Sequence, residues 1–198
     1  MKKLFVAMLA LAIMAGCSSE PTQPASGEKP KPKTAPALAG RSAFQKCFVA
    51  ARGWARDAQP YRLSSQISAD LKGQDGKAAA WRASFASASL SGTKTFMWSG
   101  EDITPGVQDT YSASNTSTQV FDIAFLKVDS DQALATAQKH GGDKIIEKEK
   151  DTPVYYVLDW DRRNNLLVWH VIYGPDPDDA RLRVAVNATS GDFIRVEK

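Results

Sequence analysis

A chain of 198 residues with 43% apolar side chains is long enough for one domain or two small ones with a core of their own. Its 25 basic and 22 acidic residues leave a formal charge of only +3. This excludes the concentrated positive footprint that a nucleic-acid partner requires.

Residues 1–16 read as a signal peptide. Lys2 and Lys3 form a positive start, Leu4 to Met14 an apolar stretch, and Ala15 and Gly16 a small-residue end. The apolar stretch is about 11 residues, against roughly 20 for a membrane-spanning helix. Met14-Ala15-Gly16-Cys17 resembles the lipobox of bacterial lipoproteins. That resemblance implies a diacylated Cys17 thiol, cleavage before Cys17 and acylation of the new amino group. More than one acyl chain gives stable anchoring, at about 0.8 kcal/mol per buried CH₂. Ser18 stands where an Asp would favour retention at the inner membrane, which points to the inner leaflet of the outer membrane. Cleavage removes Lys2 and Lys3 and takes the charge from +3 to +1. With Cys17 lipidated, Cys47 has no partner within the chain, so the fold does not rest on disulfides. Its setting in FQKCFVAA suits a small buried hydrophobe.

Residues 17–40 form a tether. Pro21, Pro24, Pro30, Pro32 and Pro36 fall here, and the segment has no aromatic residue with which to build a core, so it reads as a disordered, polyproline-rich linker. The 21 residues from Ser18 to Leu38 reach roughly 65 Å when fully extended. Lys29, Lys31 and Lys33 form a basic run that offers a contact with anionic lipid or with peptidoglycan.

Residues 41–118 form a first folded unit. Phe44, Phe48, Ala51 and Ala55 make one apolar face of a helix over 41–58, and Ser42 with Gln45 matches a capping box. Residues 61–77 are polar and read as a loop with a short helix near Leu63–Leu71. Trp81, Ala83 and Phe85 alternate with polar neighbours in a strand over 78–90. After Ser91-Gly92 a second strand runs over 93–99 through Phe96 and Trp98, which completes a hairpin. Residues 100–118 hold Gly, Pro, Ser, Asn and Thr and read as a loop.

Residues 119–198 form a second unit. Phe121, Ile123 and Phe125 alternate in a strand over 119–128. Ser130 caps a helix, DQALATAQKH, which Gly141-Gly142 ends; Asp131 in its first turn and Lys139 in its last suit the helix dipole. A short strand follows around Ile145-Ile146. Strands over 154–160 and 166–173 pair across a turn, and strands over 181–187 and 192–196 close the chain. An offset of 88 residues places Trp81 on Trp169, Phe85 on Tyr173, Phe96 on Val184, Trp98 on Val186 and Ala43 on Asp131. The two units therefore read as copies of one pattern, a short helix over a small antiparallel sheet. The fold class expected is α+β.

Ser130–Lys198 resembles the PepSY domain. The DQALATAQKHGG helix, the strand LLVWHVIYG and the ending RLRVAVNATSGDFIRVEK carry the resemblance; Asn187 replaces the family's Asp, and Thr189-Ser190-Gly191 is one residue longer than its Thr-Gly. Residues 41–100 read as a degenerate second copy. The resemblance implies a non-catalytic inhibitory or binding module of the kind linked to secreted peptidase propeptides and envelope proteins, with no catalytic residues to carry over.

The constellations agree with that expectation. His140 and His170 are the only histidines; a two-His metal site completed by Asp159 or Asp161 lacks the tight local spacing of Zn or Fe sites. Asp176, Asp178 and Asp179 alternate like Ca²⁺ ligands but lack the Gly and Glu of an EF-hand loop. No catalytic motif such as GxSxG or HExxH is present, and neither a cofactor nor a metal is expected. Trp160, beside the DRRNN turn, and the Trp169-His170 pair are the candidate binding residues, since Trp is enriched in interface hot spots. The expected partners are the membrane, through lipid on Cys17, and an envelope protein or peptidase. The alternative is a structural envelope protein that holds peptidoglycan through its basic tether.

Overall fold

The computed structural model describes residues 36–197. Cys17, Ser18 and the run of Lys29, Lys31 and Lys33 lie outside the described residues. The elements are β1 (Leu38–Ala39), α1 (Gly40–Trp54), β2 (Gln59–Gln66), β3 (Lys77–Ala78), β4 (Ala80–Ser87), β5 (Gly92–Ser99), β6 (Asp102–Thr110), a 3-10 turn (Ile123–Phe125), α2 (Ser130–Ala137), a π-type turn (Gln138–Gly142), α3 (Asp143–Lys148), β7 (Val154–Asp161), β8 (Leu166–Tyr173), β9 (Leu182–Asn187) and β10 (Phe193–Glu197). The fold is α+β, with one antiparallel sheet of eight strands in the order β10-β9-β8-β7-β2-β4-β5-β6. β1 and β3 form a separate two-residue ladder.

The sheet has a centre. β2 and β7 pair there, Leu63 opposite Leu158. Outward from β2 run β4, β5 and β6, and outward from β7 run β8, β9 and β10, each a meander preceded by a helix. Alternation decides which side is buried. Leu63, Trp81, Ala83, Phe85, Phe96 and Trp98 from one wing and Tyr156, Leu158, Leu167, Trp169, Val171 and Val184 from the other face the helices and form one continuous core.

Trp81 and Trp169 occupy equivalent places. Trp81 Nε1 donates to Leu38 O at 2.9 Å, just ahead of α1, and Trp169 Nε1 donates to Val128 O at 2.9 Å, just ahead of α2. The rings meet edge to face, 6.2 Å apart. Gly40 opens α1 against them: a Cβ there would lie 2.7 Å from Trp169 and 3.0 Å from Trp81. Each indole thus buries a large apolar ring and still satisfies its one donor.

The helix starts differ from expectation. Ser42 and Gln45 make no capping box; the N-cap of α1 is Ala39, which offers no side-chain cap. Instead Gly40 N donates to Ser130 Oγ at 2.8 Å and Arg41 N donates to Asp129 Oδ1 at 2.8 Å. In α2 the cap is Asp129 rather than Ser130, with Gln132 completing a capping box. Ser130, fully buried, passes its own hydroxyl proton to Gly76 O. Two helix N-termini therefore share one pair of caps.

Four further segments correct the sequence reading. Residues 59–66 are the strand β2, not a loop or helix: Ser65 faces the core and accepts from Tyr156 N through its hydroxyl at 2.9 Å, so a polar residue fills an inward position. Residues 102–110 are an edge strand, β6. Pro105 is tolerated because an edge needs no donor there, and the pairing slips beside it, between Lys94 and Phe96. Residues 119–128 are not a strand. Asp122 accepts from Ala124 N at 2.8 Å and turns the chain, so Phe121 and Leu126 are buried while Ile123 and Phe125 face outward. Residues 143–148 are helix α3, not a strand; Gly141, with φ +113°, breaks α2 where expected, and Ile145 and Ile146 pack on the core from the renewed helix.

Candidate functional site

Two surfaces concentrate side-chain chemistry, one on each side of the sheet. On the helical side, α1 and the 121–126 segment form the walls of a groove of about 460 Å³, lined by Arg41, Phe44, Gln45, Phe48, Val49, Ile123 and Leu126. Phe44 stacks on Phe48 at 5.9 Å and both lie against Phe85, 5.9 and 6.0 Å away, so the aromatic floor is fixed from beneath. Val49 is 73% exposed and Ile123 43%, so both leave apolar surface open among the described residues. Phe125, 44% exposed on the same segment, packs on Trp160 with centroids 5.4 Å apart.

Cations rim the groove. Arg41 Nη1 donates to Lys127 O at 3.2 Å, which bridges the two walls at one end. Arg52 sits over the Phe48 ring, 5.7 Å from its centroid. Lys127, next to Leu126 of the lining, is exposed. Asp122 and Asp129 turn to backbone amides and keep their charge; Asp57, past the end of α1, accepts from Ser87 and Ser89, which hold its carboxyl down to about 2.

The open side of the sheet carries a chain of alternating charge. Arg62 pairs with Asp159 at 3.1 Å, Asp159 with His170 Nε2 at 3.1 Å, His170 Nδ1 with Glu197 at 2.6 Å, Glu197 with Arg195 at 2.6 Å, and Arg195 with Asp161 at 2.9 Å. Burial alone would lower the His170 pKa, but the two flanking carboxylates win and raise it to about 9. His170 is therefore a cation at neutral pH that ties β8 to β7 and β10. Burial pushes Asp161 upward, and hydrogen bonds from Asn164 and Arg195 hold it down at about 2. The chain is laced internally, so it serves strand-to-strand cohesion rather than an outside ligand.

The candidate residues separate accordingly. Trp169 is fully buried and its indole N–H is committed to Val128 O, so it is corrected from a binding residue to a core one. His170 has both ring nitrogens on carboxylates, leaving no lone pair for a metal. Trp160 is half-buried and reaches the surface beside Phe125. His140 stacks on Phe193 at 3.8 Å. Asp176 is turned inward on its own loop, accepting from Asp178 N at 2.8 Å, and among the described residues no three His, Cys, Asp or Glu side chains converge as a metal site would require. Cys47 is buried, and burial pushes its thiol up to about 11. Val49 escaped the sequence reading, and Phe48 and Ile123 were read only as faces of a helix and a strand, not as parts of a site. Their signal was present: no acid occurs from Gly40 to Trp54, and Val49 lies opposite the Ala43–Cys47–Ala51 face.

No family model and no curated protein matches the chain. Among solved structures, the fold is shared with a chain described as a "putative lipoprotein (CD1622) from Clostridium difficile 630", with a TM-score of 0.51 and 13% identity, covering 78% of this chain and 91% of that one. At that identity the likeness is one of fold.

Proposed function

We propose that this protein is a lipid-anchored envelope lipoprotein whose folded part is a PepSY-like, non-catalytic binding module for another envelope protein or a peptidase. The carrying observation is the open groove between α1 and the 121–126 segment, an apolar concavity with a rigid aromatic floor and uncovered Val49 and Ile123. Exposed apolar surface of this kind, rimmed by polar groups, marks protein-interaction sites. Anchoring is supported by the Met14-Ala15-Gly16-Cys17 motif and by the fold likeness to a protein described as a lipoprotein. Ser18 favours the inner face of the outer membrane. Trp160 and Phe125 extend the apolar surface beyond the groove.

Crosslinking in intact envelopes tests the reading. The wild-type chain retains a protein partner, and Val49→Asp with Ile123→Asp loses it; recovery of lipid and murein alone overturns the binding module. Cys17→Ser releases the protein into the soluble fraction, and continued membrane fractionation overturns the anchor.

A further inference from the structure

We infer that the groove between α1 and the 121–126 segment takes an acidic, amphipathic segment of a partner protein, with an apolar side chain seated between Phe48 and Ile123. The inference rests on the binding-module reading and names the chemistry of its ligand.

Shape decides first. The apolar groups line a concavity whose floor is Phe44 and Phe48. A bilayer is entered by convex, protruding apolar groups, whereas a cleft is filled by a side chain that projects into it. The floor cannot collapse to close the cleft, because Phe44 and Phe48 are held by Phe85 and Phe44 also by Phe121 at 6.4 Å. Its apolar lining therefore stays exposed until a ligand covers it.

Charge decides second. Arg41 lines the groove, Arg52 sits over its Phe48 and Lys127 follows its Leu126, and none of the three makes an ion pair among the described residues. On the other side of the sheet the opposite holds: Arg62 and Arg195 each meet carboxylates. Asp122 and Asp129 flank the second wall, but each turns to backbone amides as a turn or helix cap and neither pairs with Arg41, Arg52 or Lys127. A segment bearing Glu or Asp on the flanks of an apolar stripe supplies partners for these three cations, while a basic segment would meet three unpaired like charges, which costs affinity and association rate together.

A photo-crosslinking amino acid at position Val49 of the full-length protein, activated in intact envelopes and followed by mapping of the joined peptide, tests this. The expected adduct maps to an acidic amphipathic segment of another protein. It falls about tenfold in Arg52→Glu/Lys127→Glu, a pair chosen because both side chains are exposed, and it is retained in the charge-reversal control Lys144→Glu, an exposed position on α3 outside the groove lining. Thermal unfolding of each variant separates loss of binding from loss of fold. An adduct on a protein segment without acidic residues overturns this inference and leaves the binding-module reading standing. An adduct on lipid alone, or none at all, overturns both.

Discussion

In the first half of the sheet Trp81 hydrogen-bonds to Leu38 O just ahead of α1; in the second, Trp169 does the same to Val128 O just ahead of α2. Around these matched anchors the halves differ. The first packs rings, Phe44, Phe85, Phe96 and Phe121, beneath a long helix, and its open face carries uncharged pairs such as Ser84 with Thr95. The second sets Tyr156, Trp169 and Tyr173 among aliphatic residues under a broken helix and places its charges on the open face. A shared frame thus carries an open apolar groove on one side and an ionic lock on the other, because the two faces of each strand vary independently.

Removing the anchors has the largest expected effect. Trp81→Ala and Trp169→Ala each cost about 3–5 kcal/mol. Because the rings touch, the double variant costs less than the sum; strict additivity in denaturant unfolding would show that the halves do not share a core. Next come the contacts at the helix junction. Ser130→Ala leaves Gly40 N without its acceptor and Gly76 O without its donor, at about 1–3 kcal/mol, and Gly40→Ala overpacks the two indoles at about the same cost. If Ser130→Ala melts α1 no earlier than the wild type in hydrogen exchange, the cap is dispensable.

The ionic lock gives a pH signature. His170 has a folded pKa of about 9, above its ordinary 6.5. Its contribution is complete below 6.5 and is lost as pH rises through about 9. Melting temperatures therefore fall across that window, and His170→Gln flattens the fall; an unchanged slope in His170→Gln would assign it to other groups. Smallest is Val49→Asp, within about 0.5 kcal/mol of wild type because the site is exposed, so its loss of partner reads as recognition alone.

Where one strand face is apolar and its neighbours polar, as at Trp81-Ala83-Phe85 or in 166–173, the elements stood plainly in the sequence. β2 hid because Ser65 fills an inward position and pairs with Tyr156 N, and β6 hid because an edge strand tolerates polar residues and Pro105. Residues 119–128 misled through a true alternation that Asp122 breaks from within, by capping Ala124. The groove was half-legible: the acid-free α1 was visible, but its second wall comes from a segment some 75 positions further along the chain, counted from Phe48 to Ile123. Glu197 as a partner of His170 was likewise set only by strand order.

The shared caps govern the order of events when the chain is made. α1 emerges early, yet two of its first amides find acceptors only on Ser130 and Asp129, and β2 finds its second neighbour only in β7. Contacts so distant along the chain delay closure until most of the polypeptide is present. A first half alone therefore lacks both its helix cap and its central pairing, so the two halves are expected to close together rather than one at a time.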